Sequence, residues 1–256
     1  MKFETLHRIV LGVLLIAALL SAFHFIPGLL VIGLVLGYMG FLLFVSTNVQ
    51  LNFFLRAFNN NPEETERRIA LTFDDGPVEN TLKILEVLEK YKVEASFFCI
   101  GKNVKENPEI FNLIIKKGHF VGNHTYSHTR KMGFLSTNAM LQEIKKCDKI
   151  FKKVGGITPG TFRPPFGIIN PQVRGALEIS GHKVIGWNLR SYDAVINSEE
   201  LVVKRVLENV KPGDVILFHD NKENTVEILE QLLLFLRANH FDPVRVDELF
   251  NIDAYT

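Results

Sequence analysis

Apolar positions along the chain fall into two regimes. From Ile9 to Phe23 no residue is charged, and after His24 the run Phe25 to Val45 is again uncharged. Read as one helix, residues 9–45 would be about 55 Å long at about 1.5 Å per residue, against a hydrocarbon thickness of about 30 Å. One span cannot use it all. Pro27 and Gly28, beside the polar His24, sit where a tight turn divides the run. The pattern therefore predicts a transmembrane helical hairpin within residues 1–47, with spans at 9–25 and 29–45. A cleaved signal peptide is the alternative, with Lys2 and Arg8 as its basic start and Ser21-Ala22 near the cut, but the second apolar run would still anchor the product. Lys2 and Arg8 precede the hairpin, Arg56, Arg67 and Arg68 follow it, and the turn carries no charge. Charge counting thus puts both ends in the cytoplasm. The stretch 48–68, with Asn59-Asn60-Asn61-Pro62 and the mixed charges Glu63 to Arg68, reads as a linker.

From Ile69 to the end, short β-rich runs alternate with segments whose apolar residues recur at helical spacing. Strands are expected at 69–73, 94–100, 119–122, 161–163, 182–188, 214–219 and 243–246. Between them, helices are expected at 80–91, 108–118, 136–153, 171–181, 198–209 and 223–239. Asn107-Pro108 and Asn170-Pro171 supply helix starts, and Gly118, Gly155-Gly156 and Gly181 supply stops. About seven strand-then-helix units argue for an α/β fold with parallel strands. Asp74, Asp75, His124, Arg163, Asp193 and His219 all fall at or just after the ends of expected strands. If the six act together, a closed or nearly closed (β/α) barrel brings them to one face better than an open sheet does.

Composition narrows the chemistry. Of 256 residues, 47% are hydrophobic and 22% charged, enough apolar material for one ordinary core. Twenty-nine basic against 28 acidic residues leave a formal charge of +1, which gives no bulk reason to expect nucleic acid as a partner. The two cysteines, Cys99 and Cys147, lack CxxC spacing and exclude a cysteine-based zinc finger or redox motif; they read as core residues.

Thr72-Phe73-Asp74-Asp75-Gly76-Pro77 puts two carboxylates at a strand exit, before a forced turn. On extended backbone adjacent side chains point to opposite sides, so the two acids can take different tasks, one binding a metal and one acting as a base. His124-Thr125-Tyr126-Ser127-His128 supplies imidazoles four apart, which a helical turn would put on one face within reach of one ion. An Asp-His-His set with open positions suits a catalytic zinc or similar divalent ion. Arg163-Pro164-Pro165-Phe166-Gly167 holds a backbone N–H where it can serve as an oxyanion donor. Val215, Leu217 and His219 alternate on one strand face, placing an imidazole at the end of an apolar wall. Taken singly, each motif also fits a bland reading: a solvated turn, polar loop histidines, a surface arginine, a structural histidine.

TFDDGP (72–77), HTYSH (124–128), RPPFG (163–167) and ILFHD (216–220), in this order, resemble the polysaccharide deacetylase family with the NodB homology domain, carbohydrate esterase family 4. The resemblance covers about residues 69–246, within a catalytic domain taken as 69–256. It implies a distorted (β/α) barrel carrying a metal-dependent N-deacetylase. Asp75, His124 and His128 match the metal ligands, usually of zinc. Asp74 matches the general base, oriented by Arg163. The Phe166 N–H matches the oxyanion donor, Leu217 the acyl-pocket wall, His219 the general acid and Asp193 the carboxylate that favours its charged form. One stretch departs: where the family has Asp, two residues, Asp and Trp, this chain reads Arg190-Ser191-Tyr192-Asp193-Ala194. The pocket is then wider, or filled by another group such as Trp187, and the identity of the acyl group is left open.

The leading expectation is a membrane-anchored, divalent-metal-dependent hydrolase that removes an acyl group, acetyl first, from the nitrogen of an amino sugar in a peptidoglycan- or chitin-like glycan. A close variant takes a lipid-linked amino sugar instead, which the hairpin and a cytoplasmic face would favour, whereas the family implies an extracytoplasmic domain. A non-catalytic glycan-binding protein is the second class. Nothing in the sequence speaks to self-association.

Overall fold

The computed structural model describes residues 3–255; Lys2, one of the flanking charges, and the terminal Thr256 lie outside the described residues. Two antiparallel helices come first, α1 (Phe3–Ala22) and α2 (Gly28–Ser46), each long and apolar enough to cross a membrane. Only Ala17 and Val45 in them are buried, and most of the other leucines, isoleucines and valines are exposed. An outer surface this apolar suits a membrane or a protein partner. The first helix starts six residues before the expected span, because its amphipathic start is held by the domain. Glu4 pairs with Arg174 at 2.9 Å, and Phe3 packs edge-on against Phe53 and Phe54.

Past a short 3-10 turn at Val49–Leu51 the chain alternates strands and helices. They are β1 (Ala57–Phe58), β2 (Arg68–Asp74), α3 (Glu79–Tyr91), β3 (Ser96–Cys99), α4 (Gly101–Glu106), α5 (Pro108–Lys116), β4 (Phe120–Asn123), α6 (Thr137–Gly155), β5 (Thr161–Phe162) and α7 (Pro171–Ser180). There follow β6 (Lys183–Ile185), β7 (Leu189–Arg190), α8 (Glu199–Asn209), β8 (Val215–His219), α9 (Thr225–Ala238), β9 (Asp242–Val244) and α10 (Val246–Phe250). All strand pairs are parallel, in the order β1-β6-β5-β4-β3-β2-β8-β7, with β9 added on β2.

The sheet curls into a half-barrel, and its edge strands β1 and β7 are not paired with each other. Of the strand expected at 182–188 only β6 forms, over 183–185; β7 begins beyond it on the other side of that opening, since β6 pairs with β5 and β1 while β7 pairs with β8. Gly186-Trp187-Asn188 bridges the gap: the Gly186 N–H donates to Phe58 O at 2.9 Å and the Asn188 N–H to Val215 O at 3.3 Å. Asn59 packs so closely that a Cβ on Gly186 would lie 1.9 Å from its Oδ1. β1 lies within the stretch read as a linker.

Alternation along the strands sorts two cores. Ile69, Leu71, Phe73, Phe97, Val121, Ile216 and Phe218 face a cluster with α3, α5, α8 and α9. Ala70, Phe98, Phe120, Val215 and Leu217 face the other, which also holds Val45 and Val49 from the base of the hairpin. Thr72, Asp74, His124 and His219 have the parity of this second face.

Candidate active site

Asp74 ends β2 beside His219, which ends β8 in register with it. Asp75 follows with φ 82°, a left-handed backbone that undoes the alternation expected of an extended segment. Both carboxylates therefore reach one centre. His124 Nε2 lies 3.8 Å from Asp74 Oδ2 and 3.7 Å from Asp75 Oδ1, and His128 Nε2 lies 3.3 Å from the same Asp75 oxygen. Gly76 is required next, because a Cβ there would lie 1.9 Å from Oδ2 of the buried Asp220. Asn103 and Asn221 hold Asp75 through its backbone carbonyl (2.6 Å) and Oδ2 (3.1 Å).

The two histidines are not on a helical turn, as their spacing suggested, but in a loop with left-handed residues at Thr125 (φ 66°) and His128 (φ 48°). Side-chain oxygens fold this loop. The Thr125 N–H donates to Asn123 Oδ1 (2.8 Å) and the His128 N–H to Thr125 Oγ1 (3.1 Å). The imidazole centroids come to 5.0 Å.

Electrostatics fit a cation here. His124 Nδ1 is 2.8 Å from Arg163 O, and since a carbonyl only accepts, Nδ1 carries the proton and Nε2 presents its lone pair. Burial, with His128 adding to it, pushes the His124 pKa down to about 3, so the ring is neutral at ordinary pH. A lone pair facing two carboxylates is repulsive unless a positive ion lies between them. Ligand atoms of Asp75, His124 and His128 all lie within 4.8 Å of one another, a set that fits a small divalent ion.

Arg163 is fully buried, not a surface residue. Its guanidinium donates to Asp74 Oδ1 (2.9 Å), Thr72 Oγ1 (2.7 Å), Gly186 O (2.8 Å) and Ile185 O (3.3 Å), and lies 4.0 Å above the Phe98 ring. Burial raises the Asp74 pKa above the ordinary carboxylate value, with Arg163 and His219 pulling the other way. Opposite stands the pair His219–Asp193. His219 Nδ1 donates to Asp193 Oδ1 at 2.9 Å, and Asp193 also accepts from the His219 N–H, Ser191 Oγ and Thr225 Oγ1. Burial lowers the His219 pKa, but the hydrogen bond and charge of Asp193 outweigh it and leave the imidazole raised. Burial likewise raises Asp193, and the same bonds bring its carboxyl below the usual value.

Phe166 sits left-handed (φ 59°) in the turn after Pro164-Pro165, half exposed, with its ring 4.8 Å from His128. A cavity of about 80 Å³ is lined by Asp74, Asp75, His124, His128, Phe166, Trp187, Arg190, Leu217 and His219. Eight of the ten candidate residues thus line one cavity, and Arg163 and Asp193 touch that lining through Asp74 and His219. Thr72, Asn123, Ser191 and Asp220 escaped sequence reasoning, as did a lining position for Arg190. Thr72 was readable from its i,i+2 relation to Asp74. Asp220, whose carboxyl burial pushes up to about 7 and Thr81 bonds at 2.7 Å, gave no local signal.

The polysaccharide deacetylase family profile matches residues 61–185. A peptidoglycan-N-acetylglucosamine deacetylase of Bacillus cereus is 35% identical over 190 residues, covering 72% of this chain and 88% of that protein. The chain belongs to the polysaccharide deacetylase family. The peptidoglycan-N-acetylglucosamine deacetylase PgdA of Listeria monocytogenes is also 35% identical, over 188 residues and 73% of this chain, and the chain spans 40% of the length of that relative. Among solved structures, the peptidoglycan N-acetylglucosamine deacetylase Bc1960 superposes with a TM-score of 0.72 at 30% identity, covering 77% of this chain and 94% of that one. The family's curled parallel sheet is the one described above.

Proposed function

We propose that this protein is a membrane-anchored, divalent-metal-dependent N-deacetylase of amino sugars in a glycan of peptidoglycan or chitin type. The single observation that carries the reading is the convergence of the His124 Nε2 lone pair, His128 and Asp75 beside a second acid, Asp74, that a buried arginine orients. Asp75, His124 and His128 would hold the metal ion, which when bound supplies a Lewis acid and a source of nucleophilic water near neutral pH.

The protein's own groups do the rest. Asp74, its Oδ1 fixed by Arg163, leaves Oδ2 to take a proton from the attacking water. Its raised pKa brings it nearer the working range of a base. The Phe166 N–H, in a turn held by two prolines, would donate to the developing oxyanion. Leu217 and Trp187 wall a cavity small enough for an acetyl methyl, so Trp187 supplies the aromatic surface that Ala194 does not. His219, kept protonated by Asp193, gives a proton to the departing amine.

Relatives named for N-acetylglucosamine in peptidoglycan support the substrate class. The complete set of base, acid and ligand side chains speaks against a purely glycan-binding role. With zinc-loaded full-length protein in detergent, acetate is released from an N-acetylglucosamine oligomer or a cell-wall glycan, and Asp74→Asn lowers the rate by about 10²- to 10⁴-fold. No release, or full activity in Asp74→Asn, rejects the proposal.

A further inference from the structure

Arg190 is the one cation that lines the catalytic cavity without a partner among the described residues. In β7 it stands in register with Leu217 of β8, so the two side chains share the inner face of the sheet. Its Nε is buried with no hydrogen-bond partner, and its guanidinium makes no ion pair with any of the described residues. The carboxylates nearby are engaged elsewhere: Asp74 by Arg163, Asp75 by Asn221 at the candidate metal position, Asp193 by His219. Tyr192 braces the guanidinium carbon at 5.0 Å from its ring and is itself covered by Arg205 at 4.5 Å, while Arg205 Nε donates to Arg190 O at 3.0 Å. The side chain is positioned but not neutralised.

Arg190 is half-buried, and its buried Nε is a donor left for a ligand acceptor in the cavity. The planar fork of Arg suits an oxyanion with two acceptor oxygens.

Building on the deacetylase reading, we infer that the cleft selects amino sugars bearing an anionic group next to the acylated ring, and that Arg190 reads that group. The group is a carboxylate carried by the sugar itself or a phosphate joining it to a lipid, and both present the same oxyanion.

The test uses zinc-loaded full-length protein in detergent with three probes. These are a neutral N-acetylglucosamine tetramer, a glycan whose amino sugar carries an ether-linked carboxylate, and a lipid-linked N-acetylglucosamine phosphate. Acetate release from at least one anionic probe exceeds that from the neutral probe by about 10- to 100-fold in kcat/KM, mostly through KM, and the preferred anionic probe identifies the source. Arg190→Gln collapses the ratio, and Arg190→Lys retains part of it. Equal use of neutral and anionic probes, or an unchanged ratio in Arg190→Gln, overturns the inference. Calorimetric binding of the same probes separates the two claims. Charge preference lost in Arg190→Gln, without acetate release from any probe, upholds the role of Arg190 and rejects the deacetylase reading. Charge-blind binding with acetate release does the reverse.

Discussion

Asp193 accepts four hydrogen bonds on its two oxygens, two of them from His219, and this fixes a sign for the pH dependence. His219 holds its proton above its ordinary value of 6.5, so the acid form is present below the raised value and disappears as pH rises through it. The rate accordingly falls on the alkaline side. Asp193→Asn removes the charge that raises His219, so the alkaline limb moves to lower pH; a limb that stays in place in a rate profile contradicts the pairing. Stability follows the same link. The His219 contribution is full below 6.5 and lost as pH rises through the raised value. The Asp193 contribution is present above 3.8 and lost as pH falls through its lowered one. At this scale, Asp74, His124 and His219 were legible because strand parity puts them on one face. Asp75, His128 and Phe166 were legible only as motif members, since each depends on a left-handed backbone that local pattern does not specify. Arg163 read alone suggests a surface residue. Its burial depends on acceptors from β2 and the 185–186 segment, far apart in sequence.

Helices with a polar cap were placed closely by sequence. Ser136, Asn170 and Ser198 accept from the N–H groups of Ala139, Val173 and Leu201, and Gly156 and Gly181 close α6 and α7 in left-handed conformation. Short elements escaped: α4, α10 and the two-residue β1 have too few residues to show a period. The strand expected at 182–188 was too long for another reason: its apolar centre Val184-Ile185 pairs with β5 and β1, whereas the Asn188 N–H already turns to Val215 O of β8 across the opening. The hairpin was legible as charge-free length. Its base is tied to the catalytic end: Ile169 N–H donates to Ser46 O at 2.8 Å, Val49 packs on Gly167 and Gly186, and Gln50 reaches Asn188 O. As a membrane anchor, which is our proposal, a hairpin that returns to its own side would keep both of its ends, and the domain, on one face of the bilayer. The full chain is expected to sediment with membranes and resist carbonate extraction. Recovery in the soluble fraction would remove the anchor from the account.

Over the whole molecule, the curl of a parallel sheet turns residues from strands far apart in sequence into neighbours. β2 brings the two acids, β4 the histidine loop, β5 the arginine, β8 the proton donor, and the bridge at 186–188 the aromatic wall. Strand-end polar residues made that convergence readable, but the opening between β1 and β7 was not, since edge pairing is decided by register across the whole sheet. The proposed chemistry depends as a whole on a cation that Asp75, His124 and His128 would hold. Metal analysis of the purified full-length protein, beside His124→Ala prepared identically, tests this most directly. The account predicts about one divalent ion per chain in the parent, with Asp, His, His ligation of the type expected for zinc, and loss of that ion in the variant. A parent free of bound metal after exposure to zinc, or a variant that binds it equally well, would contradict the account.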